Sequence, residues 1–344
     1  MSQIRKVVEA LMKHGPKYTT ISRETGVPIT TVRYILKEKL PKLGFTLHAA
    51  INYGKLGLQR YLVIMEPSLS PDHMVNLLDL FGETMYLNYY SYLLQNRKFL
   101  TIFSIPPEFE TSFMTFLDEL VRLRVLNKYY FKKLYYRRII PFRIDCFDFD
   151  KGVWLQNWDN TPRKEEVSEI YEEPEQIEGL TSLDIRILAE LQKDSFLRYT
   201  TLSRMLNKAR QTIKRHYEKI SKTIYLYVIL WMPKEHPELY CTPILVRANP
   251  VDSLRKKLHN VPFIHLEMKT EDLDYYAVFF VPSIGFYKVL RYISESKCIE
   301  LDYLSMDYAS NFVPHYNLYD DRKGWVNIFE KGVEKIVKEV RLSV

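Results

Sequence analysis

The spacing of apolar residues along this 344-residue chain predicts helices and strands that alternate in a repeated order. Near the N-terminus, apolar side chains recur at helical intervals, at Ile4, Val7, Val8 and Leu11. A second helical stripe comprises Leu183, Ile187, Leu188 and Leu191. Each stripe comes before a series of shorter apolar runs, which have the length and the aromatic and β-branched composition of strands. The two halves of the chain therefore follow one plan.

The segments after each stripe predict strand, helix, strand, strand, helix and strand, in that order. In the first half they are RYLVIMEP, SPDHMVNLLDLF, TMYLNYYSYLL, KFLTIFSIP, EFETSFMTFLDELVRL and NKYYFKKLYY. In the second half they are CTPILVRAN, VDSLRKKLHN, FIHLEMKT, YYAVFFVP, SIGFYKVLRYISES and CIELDYLSMDY. This order predicts an α+β fold, and the length allows several domains.

A repeated hexapeptide connects the two halves. YTTISR at Tyr18–Arg23 and YTTLSR at Tyr199–Arg204 align without a gap at an offset of 181, and apolar positions after them also correspond. An internal repeat explains this better than chance does. Breaks at HGPK and TGVP divide the first copy into three short helices. The second and third of these form a helix-turn-helix, whose third helix fits the major groove of DNA.

Positive charge is concentrated in the same two blocks. Residues 1–43 carry a net charge of +6 and so do residues 181–223, whereas the rest of the chain carries −5. Basic charge that is confined to two small modules is typical of proteins that contact nucleic acid.

The segment LDIRILAELQKD followed by YTTLSRMLNKARQTIKRHYEKI resembles the N-terminal winged helix of the Lrp/AsnC (leucine-responsive) transcription regulators. The resemblance implies two winged helix-turn-helix domains, each followed by a ferredoxin-like βαββαβ domain, in a tandem-duplicated form. Ordinary members dimerise through the α/β domains, so two fused units would make a pseudo-dimer. The resemblance also implies a small effector, often an amino acid, bound with help from a Gly-x-x-Asp-like turn. The corresponding turns here, LLQNRK and KTEDLD, lack glycine, and we name no ligand.

The predicted domains are a winged helix-turn-helix at residues 1–44, an α/β domain at 45–160, an acidic linker at 161–179, a second winged helix-turn-helix at 180–224, and a second α/β domain with a C-terminal helix at 225–344. The linker is rich in Glu and Pro, which predicts a solvated connection. Each α/β domain ends in a related segment, PFRIDCFDFDKGVW or PHYNLYDDRKGW, to which we assign no role. We interpret Asp145, Asp148 and Asp150 as the wet face of a strand edge or turn and not as metal ligands.

The predicted DNA-binding residues face outward from the second and third helices of the two blocks. They are Thr20, Ser22, Arg23, Thr30, Thr31, Arg33, Tyr34 and Lys37 in the first block, and Thr201, Ser203, Arg204, Arg210, Gln211, Lys214 and Arg215 in the second. Thr30 and Gln211 are suited to base edges. Lys37 and the equivalent pair Arg23 and Arg204 are suited to phosphates. Because the third helices differ, we predict an asymmetric DNA site with unlike half-sites about one helical turn, or a multiple of it, apart.

The leading hypothesis is a sequence-specific DNA-binding transcription regulator of the Lrp/AsnC type that acts as a covalent pseudo-dimer. Two alternatives stay open: an architectural DNA-binding protein without sequence preference, and an enzyme like the siroheme decarboxylases, some of which share this architecture. No G-x-S-x-G, G-x-x-x-x-G-K-[ST], G-x-G-x-x-G or H-E-x-x-H motif occurs, so we predict no enzymatic activity, no cofactor and no metal site. The expected partners are double-stranded DNA and a second copy of the chain, giving a dimer of tandem chains.

The stretch Arg122–Arg138 interleaves basic and aromatic residues, as proteins that bind single-stranded nucleic acid do. We favour the alternative that it is the last strand of the first α/β domain. Cys146, Cys241 and Cys298 form no C-x-x-C pair, and no apolar run reaches the roughly 18 residues of a membrane span. The chain is therefore expected in the cytoplasm, without membrane contact.

Overall fold

The computed structural model of the chain describes residues 2–163, 167–231, 241–248, 252–295, 299–329 and 331. These residues form the helices and strands of an α+β fold, which confirms the predicted class. The predicted C-terminal helix lies outside the described residues, and so do residues 164–166 of the predicted linker. None of the helices in these ranges has the length and apolar character needed to cross a membrane.

The first unit begins with a block of short helices. These are α1 (Gln3–His14), α2 (Tyr18–Thr25) and α3 (Ile29–Tyr34), which continues through a π-helical turn (Ile35–Lys39) into α4 (Leu40–Lys42). Strand β1 (Phe45–Ile51) follows. The βαββαβ run comprises β2 (Gln59–Pro67), α5 (Pro71–Thr84), β3 (Leu87–Leu93), β4 (Lys98–Ile105), α6 (Glu110–Arg122) and β5 (Leu126–Ile139). The unit ends in the short strands β6 (Phe147–Asp148) and β7 (Val153–Trp154).

The second unit repeats this order. Its helical block comprises α7 (Ser182–Lys193), α8 (Tyr199–Leu206) and α9 (Arg210–Ile220), and β8 (Ile224–Trp231) follows. Its βαββαβ run comprises β9 (Cys241–Ala248), α10 (Asp252–Asn260), β10 (Ile264–Thr270), β11 (Tyr275–Pro282), α11 (Phe286–Ser294) and β12 (Ile299–Asn311). The short strands β13 (Tyr319–Asp320) and β14 (Gly324–Trp325) close it. Most of the basic and aromatic stretch of the first unit, from Leu126 onward, is β5, so the strand alternative is confirmed.

A two-stranded antiparallel ribbon joins the units, because β1 pairs with β8. At the centre of the ribbon, Leu47 pairs with Ile229 and His48 pairs with Val228. With the offset of 181 that aligns the two hexapeptides, Leu47 is equivalent to Val228 and His48 to Ile229. Each central pair therefore maps onto the other. A local two-fold axis passes through the centre of the ribbon and relates the two helical blocks.

The two βαββαβ runs close into a single eight-stranded barrel. Each run forms a four-stranded antiparallel sheet, in the order β3-β4-β2-β5 or β10-β11-β9-β12. Strand β5 then pairs with β10, and β12 pairs with β3. Closure leaves neither sheet with an open edge. The resemblance implied two separate ferredoxin-like domains, and the sequence did not predict that the two runs join in one barrel.

The helical blocks exchange partners between the units. In the first block, Val8 of α1 belongs to the same apolar cluster as Ile244 of β9 in the second run. In the second block, Leu188 of α7 belongs to the same cluster as Phe103 of β4 in the first run. A third cluster fills the barrel and is formed by side chains of both sheets. The unit that precedes the linker therefore does not have a core separate from that of the unit that follows it.

The two related end segments act as apolar clasps. Trp154 packs edge-on against Phe147 and Trp231, with ring centroids 5.1 and 6.1 Å apart. In the second unit, the Nε1 atom of Trp325 donates to the carbonyl oxygen of Leu56, 2.8 Å away, in the first unit. Each segment thus covers apolar surface of the opposite unit or of its ribbon strand, which gives these segments a structural role.

The aspartates of the first end segment have partners within the chain. Asp145 forms a two-pronged ion pair with Arg143, at 2.6 and 2.8 Å. Asp148 accepts the backbone N–H groups of Asp150 and Lys151 and so closes the turn between β6 and β7. In the described ranges of the chain, no three His, Cys, Asp or Glu side chains are placed to share a metal ion.

The predicted acidic linker is not a solvated connection at Glu172, whose side chain is almost fully buried. One carboxylate oxygen lies 2.8 Å from Nε of Arg60, and the backbone N–H groups of Tyr53 and Arg137 also donate to this carboxylate. A Cβ atom added to Gly54 would come within 2.2 Å of the carbonyl oxygen of Glu173, so the linker lies directly on the chain there. The prediction of a solvated connection does not hold at this residue, because composition does not show the arginine with which Glu172 pairs, whereas Glu173 and Glu175 beside it are exposed.

Acidification should destabilise the fold from about pH 6 downward. Burial lowers the pKa of His315 from 6.5 to about 4, and burial together with the charges of Arg137 and His48 lowers that of His265 to about 3. The unfolded chain takes up these protons first, so stability is lost as the pH falls from 6.5 towards 4. The loss is at most about 1.4 kcal/mol per pH unit for each histidine.

Urea unfolding between pH 7 and pH 4 measures this effect. His315→Gln keeps a donor for the carbonyl oxygen of Leu87, which the imidazole contacts at 3.0 Å, but cannot take up a proton. We expect a shallower pH dependence for this variant than for His73→Gln, which alters an exposed histidine. Equal slopes for the two variants would contradict the prediction.

Candidate nucleic-acid interface

The repeated hexapeptides hold the turn between the second and third helices of each block. The hydroxyl of Ser22 donates to the carbonyl oxygen of Val27 at 2.7 Å, and that of Ser203 donates to the carbonyl oxygen of Lys208 at 2.6 Å. Gly26 adopts the left-handed conformation in the first turn, with φ of 70°. Asn207 adopts it in the second, with φ of 49°, and asparagine is among the few residues that tolerate it. The second block therefore makes the same turn without glycine.

Ser22→Ala should lower the free energy of unfolding by about 1 kcal/mol, because the carbonyl of the buried Val27 loses its donor, and Ser203→Ala should lower it by less, because its hydrogen bond to Lys208 is exposed. The hydroxyl hydrogen that closes the turn cannot at the same time be donated to a phosphate. Urea unfolding of both variants, with Thr30→Ala at an exposed position as control, checks this. Unchanged stability with weakened DNA binding would indicate instead that the serines contact DNA.

Most of the predicted DNA-binding side chains are exposed. In the first block Arg23, Thr30, Arg33, Tyr34 and Lys37 are exposed, and in the second block Arg204, Arg210, Gln211, Lys214 and Arg215 are. The remaining members are half-buried: Thr20, Ser22, Thr31, Thr201 and Ser203. Four of these five lie on the second helices, which pack on their neighbours, and Thr31 lies on α3 beside the buried Val32.

The exposed cations on these faces are largely without counterions. Within the described ranges, no carboxylate lies within ion-pair distance of Arg23, Arg33, Lys37, Arg204, Arg210 or Arg215. Lys214 lies 3.7 Å from Glu218, one turn further along α9. The guanidinium of Arg33 lies 5.9 Å from the ring centroid of Tyr18, the first residue of the hexapeptide. Both faces are therefore available to a polyanion.

The two blocks are held by contacts that cross the ribbon. Helix α1 packs on β8 and α7 packs on β1, so each block rests on the strand that belongs to the other block. Tyr199 packs edge-on against Tyr217, and the hydroxyl of Tyr217 hydrogen-bonds to that of Tyr227 on β8. These contacts fix the blocks to one support, related by the two-fold axis of the ribbon.

A cavity of about 350 Å³ opens at one end of the barrel, which we call the barrel mouth. It is lined by Leu62, Ile64, Leu93, Asn96, Lys98, Tyr130, Lys132, Leu245, Arg247, Asp274, Tyr276, Glu300, Leu301 and Asp302. Both turns without glycine lie here. The carboxylate of Asp302 accepts the backbone N–H groups of Gln95 and Asn96 at 3.0 and 3.2 Å, so a side chain of the chain itself binds the amides of the first turn.

The barrel mouth is asymmetric in charge. Lys132 lies opposite Leu62 on β2, and its equivalent Asp302 lies opposite Leu245 on β9. Lys98 at the start of β4 is in the same way equivalent to Asp274, which directly precedes β11. The first unit thus supplies cations where the second supplies carboxylates.

Sequence reasoning missed a set of buried charges on the barrel strands. Arg60, Arg138 and Glu267 are at least nine-tenths buried, and Arg137 is half-buried. The signal was present, because charged residues interrupt otherwise apolar or aromatic strands at these positions. A half-exposed strand gives the same pattern, so closure of the barrel was needed to recognise that these charges are enclosed.

Two solved structures share the fold of this chain along nearly its whole length. The siroheme decarboxylase NirDL matches with a TM-score of 0.52 and 8% identity, over 99% of this chain and 100% of that one. The siroheme decarboxylase NirDL in co-complex with an iron-uroporphyrin III analogue matches with a TM-score of 0.50 and 10% identity, over 99% of each chain. No protein-family model and no curated protein sequence matches. The likeness is therefore one of fold.

The prediction that the chain is not an enzyme is wrong, because the solved structures that share its fold are enzymes. The motifs used for that prediction identify activated nucleophiles and phosphate-binding loops. Decarboxylation needs neither of these, so their absence from the sequence does not exclude it.

Proposed function

We propose that the chain is a sequence-specific DNA-binding transcription regulator of the Lrp/AsnC type, which contacts one duplex with both helical blocks. The observation that carries the proposal is the pair of exposed third-helix faces whose arginines lack counterions. An unpaired basic helix face after a tight turn offers donors to base edges and phosphates. The two-fold ribbon supports simultaneous contact, since DNA half-sites are also arranged about a two-fold axis.

The two faces differ in the groups that they present, which supports an asymmetric DNA site. The first offers Arg33 and Tyr34, and the second offers Arg210, Gln211 and Lys214 at its start. An arginine fork pairs with guanine and a glutamine amide pairs with adenine. Two different half-sites follow from a single chain.

Selection of bound sequences from a random DNA pool, at one stated salt concentration, tests the proposal. We expect two unlike half-sites, both protected by one chain in a footprint. Protection of a single half-site would overturn simultaneous contact. A ratio of specific to nonspecific affinity near one would favour the architectural alternative, in which phosphate contacts supply the binding energy.

An enzymatic activity on a tetrapyrrole is the second candidate function. The full-length fold likeness to a siroheme decarboxylase supports it. The barrel mouth also carries Lys98, Lys132 and Arg247, whose ion pairs with Glu66, Asp272 and Asp274 a substrate carboxylate would have to replace. Titration with iron-uroporphyrin III, followed through its Soret band, tests it. We expect a saturable spectral change that weakens in Lys98→Gln/Lys132→Gln, and no change in the wild type would rule this candidate out.

A further inference from the structure

The barrel has a second polar region, at the end opposite the mouth. Arg60 lies two residues before Leu62 on β2, so both side chains project from the same face of the sheet, and Leu62 belongs to the cluster that fills the barrel. Arg137 on β5 lies opposite Met268, another member of that cluster. The guanidinium of Arg137 lies 6.0 Å from the ring centroid of Tyr89. Tyr89 is on β3, which is not adjacent to β5, so this arginine reaches across the interior of the barrel.

The two arginines share one carboxylate. Glu172 contacts Arg60 through Nε, but it contacts Arg137 only through the backbone N–H, at 3.2 Å. The Nε–H group of Arg137 is buried and has no hydrogen-bond partner in the chain as described. Ser104 lies opposite Arg60 on β4 and is 1% exposed, and its hydroxyl also lacks a partner there. The Nε–H group of Arg137 and the hydroxyl of Ser104 are therefore two buried polar groups without partners, beside two cations that share one carboxylate.

Such an arrangement is unfavourable for the chain alone. Two cations, one buried and one half-buried, that share one carboxylate are costly to the folded state, and each unpaired buried donor adds to that cost. The effect is visible on neighbouring groups, since burial and the charge of Arg60 lower the pKa of Arg137. Burial and the charge of Arg137 also keep the imidazole of His265 neutral, with its pKa at about 3. A bound anion would therefore compensate the positive charge of Arg60 and Arg137, which Glu172 alone does not neutralise.

We infer that this end of the barrel is a binding site for a small oxyanion, which the guanidinium groups of Arg60 and Arg137 and the hydroxyl of Ser104 hold. A planar guanidinium binds carboxylate, phosphate and sulfate through two parallel hydrogen bonds. Glu172 supplies one negative charge and leaves the second position to the ligand. Arg137 is half-buried, so part of its side chain faces solvent at this end of the barrel. The inference does not depend on DNA binding, because none of these residues belongs to the helical blocks.

Isothermal titration of the full chain with inorganic phosphate, sulfate and acetate, at constant ionic strength, tests the inference. We expect one saturable site for at least one of the three anions, and the tightest-binding anion indicates whether the natural ligand is a phosphate, a sulfate or a carboxylate. Arg137→Gln should weaken this binding by at least about tenfold. Arg122→Gln removes an exposed arginine on α6 and should leave it unchanged. Equal affinity in the wild type and Arg137→Gln, or no saturable binding in the wild type, would overturn the inference.

Three further measurements exclude misfolding and binding at the DNA faces as explanations. Arg137→Gln should melt at a higher temperature than the wild type in anion-free buffer, because it removes the enclosed charge. Glu172→Gln should bind the anion about tenfold more tightly, since a competing carboxylate becomes neutral. Arg33→Ala/Arg210→Ala should retain the site. Loss of the site in this last variant, or weaker binding in Glu172→Gln, would contradict the assignment.

Discussion

Arg255→Met is expected to lower the free energy of unfolding by about 3–5 kcal/mol, because it leaves a buried carboxylate without its cation. Glu267 is fully buried, and Arg255 donates to both of its oxygens at 2.6 and 3.0 Å. His259 and Tyr275 each contact one of these oxygens at 2.8 Å. Arg255 also donates to the carbonyl oxygen of Val167 in the linker. Urea unfolding at pH 7 measures the loss.

The pH dependence and a matched variant show whether the buried charge is responsible. Burial alone would raise the pKa of Glu267, but hydrogen bonds from His259 and Arg255 outweigh it and lower the pKa to about 2. Without Arg255 the carboxyl takes up a proton more readily, so the deficit should shrink below about pH 4.5. Arg247→Met removes a similarly paired but 44% exposed arginine and should cost at most about 1 kcal/mol. Equal losses for Arg255→Met and Arg247→Met would contradict the prediction.

Arg33→Ala/Arg210→Ala/Lys214→Ala should weaken binding to the selected DNA site on the order of 100-fold or more. The reason is that each lost contact to a base edge is worth about 1–3 kcal/mol. The slope of log affinity against log salt should fall by about 0.9 for every phosphate contact that is lost. Fluorescence anisotropy at several salt concentrations measures both quantities.

A triple variant with the same change in charge provides the control. Arg97, Arg122 and Lys128 are exposed and lie on the first α/β run, away from the helical blocks. Arg97→Ala/Arg122→Ala/Lys128→Ala should retain nearly all of the affinity. If both triple variants lose affinity equally, the net charge and not the third helices governs binding, and the proposed interface is wrong.

The elements of the fold could be predicted because their signals are local. The stripes at Ile4 to Leu11 and Leu183 to Leu191 correspond to α1 and α7, and the strand-like runs correspond to the barrel strands. The closure of the barrel could not be predicted, because pairing of β5 with β10 depends on contacts between residues more than 100 positions apart. The packing of each helical block on the strands of the opposite unit could not be predicted for the same reason. Each apolar stripe shows that a helix needs a core, but not which unit supplies it.

Some residues of the candidate site could likewise be predicted from the sequence, and others could not. The exposed cations of the third helices could be selected from helical spacing alone, since Val32 and Ile213 are buried and thereby fix which face points outward. The serines could not be assigned, because a hydroxyl suited to a phosphate is equally suited to a turn carbonyl. Arg60 and Arg137 were missed, since their enclosure depends on the opposite sheet and on Glu172 from the linker.

The charge asymmetry at the barrel mouth bears on how the two halves recognise each other. A homodimer of the first half would bring two copies of Lys98 and Lys132 together, and a homodimer of the second would do the same with Asp274 and Asp302. In the fused chain, the cations of the first half lie at the same barrel mouth as the carboxylates of the second half. In either homodimer, like charges would meet at this mouth and disfavour self-pairing. Co-expressed halves, cut within the linker and weighed by native mass spectrometry, should therefore form the heterodimer in preference to either homodimer. On this expectation the charges at the barrel mouth, and not the covalent link alone, specify which half pairs with which.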